Sequence, residues 1–229
     1  MSKIVITTVG TSLLEKKDLA TVKGWLSKKM KKDIDDLFAG TSPGQEAKDK
    51  TVSEYFKTLD TSSIDNAELE DYSAEISSLK MMLNLKYLNK DNDRVKLLFS
   101  DTPDCTFCAR ANALYIKKHL AKCDYEHDVI KIDGLEVKEA HTFLNGLENL
   151  ISQLEKIKED AKEKNFDIVF NITGGYKGVI PFISFFARKH KLSLYYLYQD
   201  SDLIEIPPAM IITSTDSTGK QTKKDLGPL

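Results

Sequence analysis

Two short stretches of the chain carry residue types that can do chemistry together. The richer is Asn171-Ile172-Thr173-Gly174-Gly175-Tyr176-Lys177-Gly178. Adjacent glycines let a backbone pass close to a ligand with no Cβ in the way. Lys177 adds a full positive charge at the same place. A helix starting here would add free N–H groups and a positive dipole end. Such a place holds an anion, and phosphate is the usual one. The spacing is neither G-x-x-x-x-G-K-[ST] nor G-x-G-x-x-G, so this is neither a Walker A loop nor a dinucleotide fingerprint. A turn that only joins two elements is the plainer reading, but Gly-Gly beside Tyr-Lys is more than a turn requires. The second stretch is Gly10-Thr11-Ser12, two hydroxyls behind a glycine. Either hydroxyl can cap a helix, and one hydroxyl can both cap and contact a ligand.

The flanking patterns say what must position these turns. Residues 3–9, with Ile4, Val5, Ile6 and Val9, read as a strand that ends in Gly10. Residues 166–170 read as a buried strand ahead of Asn171, and Val179, Ile180, Ile183, Phe186 and Ala187 have helical spacing behind Gly178. Both turns thus follow the carboxyl end of a strand, where open α/β sheets bind their ligands. A third such turn is Ser100-Asp101-Thr102-Pro103, after a strand at 94–100. Asp101 or Thr102 caps the helix predicted over 105–120, with Pro103 near its first turn; a ligand contact is compatible with that role.

Further strands are expected at 127–132 and 192–199, and a long helix over 138–163. Gln199 ends the last of these strands and so falls on the ligand side. Residues 203–206 and 210–212 flank Pro207-Pro208 and read as a terminal hairpin. Between the first strand and residue 93 only helices are expected, at 19–38, 52–59 and 67–88. This is longer than a plain βαβ crossover needs. The fold class is therefore α/β: a Rossmann-like, mostly parallel sheet flanked by helices, with a helical insertion at about 15–93 and a C-terminal hairpin. One domain spans 1–213, and 214–229 reads as a polar tail.

Composition narrows the function classes. The chain has 229 residues, 41% hydrophobic, which suits one such domain. A formal net charge of -2 gives no global basic footprint for duplex nucleic acid, so an anionic ligand must be held locally. No apolar run reaches the length of a membrane span. Three cysteines without a signal-peptide pattern point to a reducing, cytoplasmic setting. Cys105-Thr106-Phe107-Cys108 has C-x-x-C spacing, but a zinc site needs two more ligands, and a pair of thiols on a helix is the simpler reading. No metal and no cofactor are expected.

Taken together, Val9-Gly10-Thr11-Ser12-Leu13-Leu14 and the 171–178 turn resemble motifs of the CRISPR-associated Rossmann fold family, CARF. The Ser100–Pro103 turn is similar to one found in a branch of that family. The resemblance spans roughly residues 3–213 but not the insertion or the tail. It implies a homodimer whose two-fold axis passes through the ligand site. It also implies cyclic oligoadenylate ligands, chiefly cyclic tetra-adenylate, a second messenger of type III CRISPR systems. A four-nucleotide ring has two-fold symmetry, so paired crevices can each take half of it. Ligand contacts are expected from Gly10, Thr11, Ser12 and Leu13, from Asp101 and Thr102, from Thr173, Gly174, Gly175, Tyr176, Lys177 and Gly178, and from Gln199. In the ring nucleases of the family the residues matching Ser12 and Lys177 are catalytic.

Some members only sense the ring, through an attached effector. The HEPN ribonuclease effector needs R-x(4–6)-H; Arg110 and His119 are too far apart for it, and Arg188 and His190 too close. Glu136-Val137-Lys138 echoes a nuclease E-x-K, a match that chance readily supplies in so charged a chain. Too little sequence follows residue 213 for an effector domain. The expectation is a near-minimal unit that slowly destroys the messenger without a metal. The alternatives are a non-catalytic sensor domain of an effector or regulator, and an unrelated phosphate or nucleotide enzyme on the same scaffold.

Overall fold

A computed structural model describes residues 2–15, 73–124, 126–135, 140–197, 202–206, 211–215 and 221–225. Gln199 and the helices expected at 19–38 and 52–59 lie outside them. The described chain runs β1 (Lys3–Val9), the single turn α1 (Ser12–Glu15), α2 (Ala74–Asn84), β2 (Arg94–Ser100), α3 (Pro103–Tyr115), β3 (Val129–Ile132), α4 (Ala140–Glu163), β4 (Asp167–Asn171), α5 (Ile180–Lys189), β5 (Ser193–Leu197), β6 (Leu203–Ile206), β7 (Ile211–Thr215) and β8 (Gln221–Asp225). A π-helical turn, Ile116–Leu120, continues α3, and a 3₁₀ turn, Lys177–Val179, leads into α5.

Six strands form one sheet in the order β3-β2-β1-β4-β5-β6, parallel except for β6. This is the α/β, Rossmann-like arrangement read from the sequence. From β1 the chain builds outward to β2 and β3, then crosses back to build β4 and β5 on the other side. The strand order therefore reverses between β1 and β4, and a crevice opens beyond their carboxyl ends.

Each face of the sheet has its own core. Val5, Val9, Val95, Leu97 and Phe99 pack with Ile76, Leu79 and Met82 of α2 and with Cys108 and Ala109 of α3. Ile4, Ile6, Leu98 and Phe170 pack on the other face with Leu147, Leu150 and Leu154 of α4 and Ile183 and Phe186 of α5. Burial on both faces explains why β1 and β2 read as apolar runs rather than strict alternations. It also places α2 in the sheet's own flanking layer.

Four expectations are adjusted. The predicted terminal hairpin is not formed between 203–206 and 210–212. β6 instead closes antiparallel on β5, Leu194 opposite Ile206 and Leu197 opposite Leu203. β7 pairs with β8 in a separate two-stranded sheet, so part of the predicted polar tail is strand. An open edge at β5 offers β6 a ready row of backbone partners, and Pro207-Pro208 removes two donors from any direct return of the chain. The strand expected from His127 begins at Val129, because Asp124 and Asp128 close a side-chain-bonded turn: Asp124 Oδ1 accepts from the Glu126 N–H at 2.9 Å, and Asp128 Oδ2 from the Asp124 N–H at 2.7 Å. The helix expected over 105–120 starts at Pro103, behind the Thr102 cap.

Candidate functional site

The turn after β4 is fixed from beneath. Asn171 is fully buried; its amide donates to Ser78 of α2 at 2.7 Å, and its oxygen accepts the Thr173 hydroxyl at 2.8 Å. The Thr173 oxygen in turn accepts the Leu197 N–H at 3.0 Å. Asn171 and Thr173 therefore tie α2, β4 and β5 together, which leaves the following Gly174-Gly175 at a defined height over the sheet.

Those two glycines are there for contact. Gly175 has φ +88°, a left-handed conformation, and a Cβ on it would lie 2.7 Å from the Thr8 Cβ of β1. A Cβ on Gly174 would lie 2.1 Å from a Glu75 carboxylate oxygen. The Thr8 hydroxyl donates to the Gly174 carbonyl at 2.6 Å. The turn after β4 is thereby held against the end of β1, and the two glycine stretches of the sequence meet.

A cavity of about 630 Å³ opens where they meet. Gly10, Thr11 and Ser12 line one side and Thr173, Gly174, Gly175, Tyr176 and Lys177 the other, with Thr102 and Ser100 from the turn after β2. This volume is on the scale of ordinary small-molecule sites. Lys177 donates from Nζ to the Thr173 carbonyl at 2.6 Å, and the same nitrogen lies 5.9 Å from the centre of the Tyr196 ring. Burial lowers the Lys177 pKa from its ordinary value, against the opposing pull of Glu75. The Tyr176 ring stands at the rim, edge-on to Phe143 at 5.8 Å, and covers Gly178.

Of the residues expected at the site, nine line this cavity. Leu13 does not: it is fully buried in the core beneath α1. Asp101 does not line it either, and turns to Lys131 at 3.1 Å. Gly178 lies behind the Tyr176 ring. Thr102 both lines the cavity and caps α3, accepting the Cys105 N–H at 3.2 Å. Cys105 is at the cavity wall, whereas Cys108 is buried in the core, and neither is in a disulfide. The Cys123 thiol is pushed up to about 12 by burial and by Asp128 beside it, which makes it inert. Among the described residues no group of three or more His, Cys, Asp or Glu side chains could hold a metal.

The sequence reading missed Glu75. It is fully buried at the start of α2, yet its carboxylate accepts the Gly10 N–H at 2.9 Å and the Ser12 hydroxyl at 2.8 Å. A glutamate in the first turn of a helix normally reads as an exposed partner of the helix dipole. The available signal is that Glu75 shares its helix face with Leu79 and Met82, at spacings of four and seven, and both of these are core residues.

The chain matches the model of a family described as CRISPR-associated protein (Cas_APE2256) over residues 70–209, more than half its length. It belongs to that family. The matched segment contains α2 with Glu75, the turn after β2 and the whole 171–178 turn, and leaves β1 and the Gly10–Ser12 turn outside it. No match is found among curated proteins. CRISPR association and the Rossmann-like sheet thus stand together for this chain. Among the described residues no helix is long and apolar enough to cross a membrane.

Proposed function

We propose that this CRISPR-associated protein binds a cyclic oligoadenylate, cyclic tetra-adenylate in particular, and slowly opens the ring without a metal, switching off type III CRISPR signalling. The observation that carries this reading is that Ser12 and Lys177 line one cavity at the switch point of the sheet. The family supplies the CRISPR setting.

The chemistry needs little beyond placement. A ribose 2′-oxygen attacks the neighbouring phosphorus, and the bond from phosphorus to the 5′-oxygen breaks. The 2′-hydroxyl loses a proton and the leaving 5′-oxygen gains one. The products are a 2′,3′-cyclic phosphate and a 5′-hydroxyl. Holding the attacking oxygen in line supplies much of the rate. The Lys177 ammonium stabilises the charge that grows on the phosphate oxygens. No histidine is among the described residues that line the cavity, which fits slow turnover.

A two-fold ring calls for two crevices related by a two-fold axis, so the active species is a homodimer. Apolar surface beside the rim supports this. Phe143 packs edge-on to both Tyr176 and Phe182, while Phe185 is 71% exposed and Leu144 58%. A second copy would cover such a surface.

The test is to incubate the purified protein, in excess and with EDTA, with labelled cyclic tetra-adenylate and to resolve the products over time. Linear di-adenylate ending in a cyclic phosphate is expected. Lys177→Ala should slow that reaction by about 10²-fold or more; a parental rate in this variant removes Lys177 from the mechanism. Intact ring recovered from a tight complex would make the protein a sensor. Failure to bind any ring size would end the cyclic oligoadenylate reading.

A further inference from the structure

Beneath Gly10 and Ser12 of the cavity wall lies a fully buried carboxylate for which the mechanism above has no role. Glu75 Oε1 accepts the Gly10 N–H, and Oε2 accepts the hydroxyls of Ser12 at 2.8 Å and Ser73 at 3.0 Å. All three donors are neutral. Among the described residues no Lys or Arg lies within ion-pair distance of it. A buried carboxylate without a cation costs a fold free energy that a neutral side chain would not.

What this arrangement does is set the polarity of Ser12. A serine hydroxyl has one proton and two lone pairs, and an ionised carboxylate only accepts. The Ser12 proton therefore lies on the line to Glu75. The Ala74 N–H donates to the Ser12 oxygen at 3.2 Å and occupies one lone pair. The second lone pair remains, and Ser12 lines the cavity. Ser12 thus offers a ligand an acceptor and no donor.

We infer that Glu75 is a positioning residue that turns Ser12 into an acceptor for a ligand hydroxyl. Resting on the function proposed above, that hydroxyl is the ribose 2′-hydroxyl. A phosphate oxygen, itself an acceptor, has no partner in Ser12, and the buried negative charge beneath repels it. The phosphate is left to the Lys177 side of the cavity. Ser12 and Lys177 then divide the reacting group between them: one takes the attacking hydroxyl, the other the charge. The same polarity makes the site selective for ribose over deoxyribose.

Glu75→Gln tests this. The Gly10 N–H still requires an acceptor, so the amide oxygen takes that side and the amide NH₂ faces Ser12. Ser12 then accepts from the amide and its proton turns toward the cavity. The full-length protein should bind cyclic tetra-adenylate more tightly than the all-2′-deoxy ring by about tenfold or more, as loss of one hydrogen bond to Ser12 in each of the two crevices predicts. In Glu75→Gln that preference should nearly vanish and single-turnover cleavage should fall about 100-fold, while the ribose ring still binds. A purely structural role would weaken both rings alike and leave their ratio intact. Should Glu75→Gln not fold, Ser12→Ala carries the same readout, because removing the acceptor also abolishes the preference. A preference untouched by Glu75→Gln overturns the role of Glu75, and one untouched by Ser12→Ala overturns Ser12 as the acceptor and the role of Glu75 with it; both outcomes leave the proposed function standing. A parental protein that binds neither ring overturns the ligand reading, and this inference with it.

Discussion

Two carboxylates are fully buried at opposite ends of this sheet, and they are solvated in opposite ways. Asp128, just before β3, faces cations: Lys96 Nζ lies 2.8 Å from its Oδ1 and Arg94 lies 3.4 Å from the same oxygen, while the Asp124 N–H donates to Oδ2. Glu75, at the carboxyl-end crevice, faces among the described residues a backbone N–H and two hydroxyls. The first is a closed ion pair that ties β2 to the turn before β3. The second lies beneath residues that line a cavity. A fold that needed only an anchor at the start of α2 would be served by a neutral side chain. Full burial by itself therefore does not say what a carboxylate does; on the inference above, the partners distinguish the two.

Breaking the first carboxylate should give the largest change in stability. Asp128→Ala leaves Lys96 buried without its partner, which costs about 3–5 kcal/mol. Denaturant unfolding measures it, and ligand affinity of the folded fraction should not change. A loss below about 1 kcal/mol would mean that Lys96 escapes to water and that the pair is surface-like. Gly174→Ala is the matching perturbation at the other end. Its Cβ would sit 2.1 Å from Glu75 Oε1, so the carboxylate must shift. Overpacking of this kind costs about 1–3 kcal/mol. Cleavage should fall further than that loss of stability explains, because Ser12 loses its orienting partner. Parental cleavage by a destabilised Gly174→Ala protein would break the link between Glu75 and Ser12.

The sequence carries one end of this comparison better than the other. β1 and β2 could be bounded correctly because their β-branched and apolar runs stop at polar turns, and Gly10, Ser12 and Lys177 could be brought together because both turns follow strand ends. Thr102 rather than Asp101 is the cap, a choice that either side chain satisfied on paper. Leu13 belonged to a motif by position, yet an apolar residue in the first turn after a cap is drawn into the core. Glu75 was not legible. Its burial depends on Ser12, 63 residues away in the chain, and on a glycine in a different turn. The pairing of β6 with β5 was hidden for a similar reason: a four-residue strand takes whichever edge the tertiary structure leaves open.

The charge balance across the cavity makes a pH prediction. Burial lowers the pKa of Lys177, and the field of Glu75 raises it part of the way back. On the proposed function, protonated Lys177 attracts the anionic ring and neutral Lys177 does not. Affinity should therefore be full at low pH and be lost as pH rises through the lowered pKa, below the ordinary lysine value of about 10.4. Glu75→Gln removes the raising influence, so the loss should begin at lower pH still. Lys177→Arg should abolish the dependence, since the guanidinium stays charged throughout. Ligand titrations between neutral and alkaline pH read all three proteins. An unchanged midpoint in Glu75→Gln would show that the two groups do not sense each other.

Thr102 offers the smallest but sharpest contrast, since its hydroxyl is tied by the opposite end from that of Ser12. Ser12 gives its proton to Glu75 and keeps a lone pair for the cavity. Thr102 gives a lone pair to the Cys105 N–H and keeps its proton. Both line the same cavity; on the inference above Ser12 is then the acceptor for a hydroxyl, and Thr102 is left as a donor for a phosphate oxygen. Thr102→Ala should lower stability by about 1 kcal/mol through loss of the cap, read by thermal or denaturant unfolding. It should weaken the ribose and deoxyribose rings by the same few-fold factor, on the order of one neutral hydrogen bond. Thr102→Ser should restore both properties. If Thr102→Ala instead penalised only the ribose ring, the two hydroxyls would have exchanged roles, and the attacking group would sit over β2 rather than over β1.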